Sequence, residues 1–150
     1  MGTKFILIMI AMMVFYIFAI GFVQTKDVVS SDQKNGTSKS IIFLFDATGC
    51  IADNGKIENA KNASKNSFRS LNETDEAALI VFYDCNSIIL EQPFTMNKSL
   101  LISTLDRIYP HTSKEAPIRK AEEYAKKYMK ENASRPQKKI ILFTCATSFC

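Results

Sequence analysis

The sequence predicts an α/β fold: a small, mostly parallel sheet with one antiparallel edge strand and helices on both faces. Three observations carry this. Apolar runs within residues 41–45, 77–83 and 139–144 have the length and the β-branched and aromatic content of strands buried on both faces. Between them, apolar residues recur at steps of three and four, the spacing of one helix face. The elements then follow in the order β-α-β-β-α-α-β, which places covering helices on a sheet.

Taken from the amino terminus, residues 5–23 carry no charge and follow Lys4. A run of that length spans a bilayer, which takes roughly 20 apolar residues, and exceeds the apolar core of a cleaved signal, about 7–15 residues. Residues 1–23 therefore read as a signal-anchor helix with its amino terminus inside. The alternative is a signal peptide cut after Gly21. Residues 24–39 are polar and rich in Ser, Asn and Gly, the composition of a flexible tether. The domain proper is read as 40–150.

Its first strand ends in Asp46, Thr48, Gly49 and Cys50. Asn54-Gly55 supplies a turn before a helix over 56–71, with Ile57, Ala60, Ser64, Phe68 and Leu71 inward. The strand at 77–83 is separated from one at 87–90 only by Asp84, Cys85 and Asn86, so the two must be antiparallel neighbours. A helix over 99–108 turns Leu100, Leu101, Leu105 and Ile108 inward. A longer one begins with Pro117, which suits a first helical turn, and carries the stripe Ile118, Ala121, Ala125, Tyr128 and Met129. Residues 139–144 form the last strand.

Composition excludes several functions. At 150 residues there is room for about one domain. The net charge of +4 comes from scattered lysines with no basic block interleaved with aromatics, a solvated surface rather than a nucleic-acid patch. No acid/base pair, phosphate loop or nucleophile–base arrangement points to an enzyme, and His111, the one histidine, reads as a loop residue. Cys50, Cys85, Cys145 and Cys150 all follow the apolar segment, hence lie in an oxidising compartment. They allow three full pairings among which sequence does not choose. Five Asn-x-Ser/Thr triplets begin at Asn35, Asn62, Asn72, Asn97 and Asn132. They are glycan acceptors in a eukaryotic secretory pathway and without meaning in a bacterium.

Five segments carry a family resemblance. The strand and loop ending Asp46-x-Thr48-x-Cys50 resembles the Asp-x-Ser-x-Ser opening of the metal site in von Willebrand factor A domains. Gly55-Lys56-Ile57-Glu58 is similar to that family's first-helix opening, Glu76 to Phe82 to its second strand, and Pro117-Ile118-x-x-Ala121 to the helix after its third metal-binding loop. Residues 139–144 resemble the strand that normally ends in Thr-Asp-Gly. The resemblance covers 40 to about 147 and implies a Rossmann-like sheet. It also implies further strands and helices beyond the last strand here. The expectation is thus a partial domain whose final strand is an exposed edge.

The resemblance further implies a divalent cation at the carboxyl end of the sheet, held by oxygens from three loops. Asp46 matches the first aspartate, and Thr48 keeps a hydroxyl in place of a serine. Cys50 puts a thiol, a poor partner for a hard cation, where the second serine belongs. Ala116 stands where a threonine is expected, with Thr112 and Ser113 nearby, and Cys145 aligns with the last aspartate. This implies an incomplete site, Asp46 and Thr48, with no cofactor expected beyond weak Mg²⁺. The resemblance also implies that Cys50 and Cys145 face one another, so that a disulfide replaces the metal crosslink. Cys50–Cys85 and Cys145–Cys150 are the competing pairs. The expected function is an exported, membrane-anchored protein-binding module facing the periplasm or extracellular space, secreted if residues 1–23 are removed. Asp46, Thr112, Ser113 and Glu115 are the partner-contacting residues. The alternatives are a thiol-redox or soft-metal-handling protein using the cysteines, and a truncated chain without function of its own.

Overall fold

The computed structural model describes residues 37–49, 55–111 and 115–144, together with the backbone of 24–29. The apolar segment 5–23 lies outside the described residues, as do Cys50, Thr112, Ser113, Cys145 and Cys150. Among the described residues no helix is long and apolar enough to cross a membrane.

Strands β1 (Gln24–Val29), β2 (Lys39–Asp46), β3 (Glu76–Asp84), β4 (Ser87–Thr95) and β5 (Gln137–Thr144) form one sheet in the order β1-β5-β2-β3-β4. The helices are α1 (Lys56–Arg69), α2 (Lys98–Asp106) and α3 (Ile118–Asn132). β2 runs parallel to both β3 and β5, while β4 and β1 are antiparallel to their neighbours at the two edges.

The sheet is sandwiched as the unbroken apolar run of β2 requires. Ile41, Phe43 and Phe45 point to the face covered by α1 and α2, and Ile42 and Leu44 to the face covered by α3. On the first face the Phe43 ring meets Phe68 of α1 edge-on at 4.7 Å and stacks on Phe143 of β5 at 6.2 Å. Each such fully buried side chain contributes about 1.5–3 kcal/mol. On the second face the small Ala121 and Ala125 bring α3 close to the sheet, with Met129 beside them. α1 and α2 tie each other's ends. The Lys61 ammonium donates to the Asp106 carbonyl (3.1 Å) and Lys65 pairs with the Asp106 carboxylate (2.6 Å). Lys98 in turn donates to the Arg69 and Leu71 carbonyls at the end of α1. Cations there meet the negative end of each helix.

Five expectations are corrected. Residues 24–29, read as part of a tether, form a strand paired along its length with β5. β5 is consequently interior, between β1 and β2, and not an exposed edge. The sheet has two antiparallel edges rather than one. β4 continues to Thr95 through Pro93, which an edge strand tolerates because one side of its ladder needs no N–H. Finally, Leu100 is 39% exposed. Its place in the stripe is taken by Thr104, since the Asn97 side chain caps Leu100 N–H and sets a phase in which Leu101, Thr104, Leu105 and Ile108 face the sheet.

A candidate binding site at the carboxyl end of the sheet

β2, β3 and β5 are parallel, so their carboxyl ends converge on one edge of the domain, the end where open α/β sheets hold ligands. Asp46 closes β2 there and is wholly buried. One carboxylate oxygen accepts from the Thr48 backbone N–H (2.9 Å) and hydroxyl (2.6 Å). The other accepts from the Thr144 hydroxyl at the end of β5 (2.7 Å). Asp46 thus caps its own loop and fastens two strands whose residues stand 98 apart in sequence. Thr144 escaped the sequence reading. The available signal was a hydroxyl residue one position before Cys145, at the end of a strand parallel to β2.

The neighbouring backbone is equally tied. Ala47 N–H donates to the Phe82 carbonyl (2.9 Å), and the Ala47 carbonyl accepts from His111 N–H (2.7 Å). The His111 ring lies 4.7 Å from that of Tyr83, a contact that gives the lone histidine a packing role. Tyr83 donates its hydroxyl to Glu91 (2.7 Å). Burial first, and then the bond to Glu91 and its charge, push the phenol above its ordinary value of 10. In the turn after β3, Asp84 accepts from Asn86 N–H (2.8 Å) and the Ser87 hydroxyl (2.9 Å). Those donors hold its carboxyl below the usual range.

Ala116 is fully buried and packs with Ile42 and Leu44, so the position expected to bring a ligand oxygen is part of the apolar core. Glu115 lies beside Cys85, its Oε2 3.5 Å from the sulfur, and Lys120 donates to the Cys85 carbonyl (3.4 Å). Cys85 is the only cysteine among the described residues and is half of a disulfide, not a free thiol. Of the residues singled out from sequence, Asp46 and Thr48 are therefore brought together, and Cys85 and Glu115 form a second contact at the same end. Among the described residues no three His, Cys, Asp or Glu side chains converge.

The opposite end of the sheet carries a second buried carboxylate. Glu76, at the start of β3, accepts from the Ser40 hydroxyl (2.6 Å), the Ser134 N–H (2.7 Å) and the Ser134 hydroxyl (2.7 Å). Burial would raise its pKa, but these bonds and the charge of Arg135 outweigh burial and hold it below its ordinary 4.5. This cluster joins β2, β3 and the α3–β5 connection.

Comparison with known proteins agrees with this topology. The model of the von Willebrand factor type A domain matches residues 41–147. The chain belongs to that family. The von Willebrand factor domain of the type V pilus tip protein Mfa5 from Porphyromonas gingivalis superimposes with a TM-score of 0.60 at 12% identity, over 69% of this chain and 36% of that one. A membrane-spanning protein from Vibrio fischeri gives 0.55 at 16%, over 63% and 50%. Proximal thread matrix protein 1 from the mussel byssus gives 0.54 at 20%, over 60% and 25%. This chain thus spans half or less of the length of these structures, and the likeness is one of fold. No curated protein matches.

Placing the chain in the von Willebrand A family poses the question of its cation. Mg²⁺ requires near-octahedral oxygen coordination at about 2.0–2.1 Å. The described donors are one carboxylate and the hydroxyls of Thr48 and Thr144, and all three are engaged with each other. With Ala116 in the apolar core, the described residues of this von Willebrand A site fit a hydrogen-bonded staple better than a cation.

Proposed function

We propose that this chain is an exported, membrane-anchored von Willebrand A module that binds a protein partner through the carboxyl end of its sheet, with a degenerate cation site and no catalysis. The observation that carries the reading is the closure of Asp46 by the Thr48 and Thr144 hydroxyls. A carboxylate used this way stabilises the loops without a metal, so partner binding does not depend on one. The anchor is the uncharged run 5–23. The family membership and the pilus-tip and membrane-spanning neighbours support an interaction role at a cell surface. Disulfides take over the crosslinking of the site loops, with Cys85 engaging one of Cys50, Cys145 or Cys150. Against the thiol-redox alternative, Cys85 is not a free thiol.

The test is the thermal midpoint of the purified chain with millimolar Mg²⁺ or Mn²⁺ and with chelator. The expected result is no shift. A cation present at a hundredfold excess over its Kd would stabilise by about 2.7 kcal/mol, a rise of roughly 10 °C or more for a domain of this size. Such a rise would overturn the degenerate-site reading.

A further inference from the structure

We propose that the carboxyl end of the sheet, which carries Asp46, Thr48 and Thr144, rests against the surface of the bilayer that residues 5–23 enter. This deepens the proposed function and rests on its membrane-anchored reading.

Strand register carries the inference. β1 pairs with β5 so that Gln24 lies opposite Thr144 and Val29 opposite Lys139. Because β5 ends at the site, the antiparallel β1 begins there. Gln24 follows the uncharged run directly, with no residue between. Antiparallel partners have Cα atoms about 4.5–5.5 Å apart, and one strand residue advances roughly 3.3 Å. A chain leaving the hydrocarbon at Val23 is therefore within about 10 Å of Thr144, whose hydroxyl is bonded to Asp46. A polar tether would let the domain adopt any orientation. Here the first residues after the run are already sheet, and β1 leads away from the bilayer toward the end where Glu76 and Ser134 lie.

The surface at this end suits the contact. Tyr109 is 74% exposed, on a segment fixed to the site by the His111 N–H bond to Ala47. An exposed aromatic ring with a polar tip is the kind of side chain enriched at headgroup level. The Lys61 ammonium lies 5.5 Å from that ring. Asp84 and Glu115 lie at the same end, so the fit is to a zwitterionic or mixed headgroup layer and does not depend on net positive charge. A partner that contacts the site then reaches it at headgroup level.

The chain has no tryptophan, so single reporters are clean. Tyr109→Trp marks the site end and Glu73→Trp the exposed turn before β3 at the far end, with Asn86→Trp as a second site-end position should the first fail to fold by circular dichroism. Full-length variants are reconstituted into phosphatidylcholine vesicles containing a headgroup-nitroxide lipid, and co-flotation with the vesicles is checked first. The expected result is quenching at least twofold stronger for Tyr109→Trp and Asn86→Trp than for Glu73→Trp. Equal quenching, stronger quenching at Glu73→Trp, or a floating chain with every reporter unquenched overturns the orientation while leaving the anchor intact. A chain that does not float overturns the anchor and the orientation with it.

Discussion

Two buried carboxylates, one at each end of the sheet, do the fine positioning at the scale of single residues. Thr144→Val keeps the shape of the side chain but removes a donor from the Asp46 carboxylate, and should cost about 1–3 kcal/mol in urea unfolding, as expected when a buried acceptor loses a partner. Loss of less than a few tenths would mean that the strand ends are held by something else. Glu76 makes stability pH-dependent. Its folded pKa lies below its ordinary value of 4.5, so its contribution is complete above that value and lost as the pH falls through the lower, folded one. Glu76→Gln should destabilise the domain at neutral pH by about 1.5–3 kcal/mol, the range for hydrogen bonds to a charged group, and flatten the loss of stability on acidification below about pH 4.5. A mutant whose acid limb parallels that of the parent would assign the acid sensitivity to other carboxylates.

Among the elements, β1 is the one whose role is least evident from its own residues. Gln-Thr-Lys-Asp-Val-Val has little to bury, and pairing with β5 gives it its structure. What it contributes is coverage. Without it β5 would present a row of unpaired backbone groups between an apolar sheet face and solvent, a template for association. Adjacent strand residues direct their N–H groups to opposite sides, so proline at both Asp27 and Val28 must remove one donor to β5. The doubly substituted chain should self-associate at concentrations where the parent does not, measured by sedimentation velocity in detergent. An unchanged distribution would show that the β5 edge is protected by other means.

For the molecule as a whole, crosslinks join segments distant in the chain, Asp46 to Thr144 across 98 residues and Glu76 to Ser134 across 58. A disulfide at Cys85 that closes a long loop contributes typically 2–4 kcal/mol. Reductant should therefore lower the unfolding midpoint of the parent and leave a Cys85→Ala variant less affected. Peptide mapping of the oxidised chain identifies which of Cys50, Cys145 and Cys150 holds Cys85. Equal sensitivity of parent and variant would remove Cys85 from the account of stability.

The sequence by itself determined the layered α/β core, because continuous apolar runs and three-four stripes are local patterns. β2 and β3 needed no neighbour to be recognised as strands buried on both faces, and the stripes of α1 and α3 named most of their inward residues. The Asp46–Thr48 pair was legible too, as both lie in one short loop. What only the tertiary structure decided depends on partners remote in the chain. β1 is a strand because β5 offers it an edge, Leu100 yields to Thr104 because a cap fixes the phase of α2, and Asp46 is closed by Thr144 across a separation of 98 residues. Local composition records the preference of a segment for burial. It does not record which backbone edge, cap or hydroxyl the rest of the fold will bring to meet it.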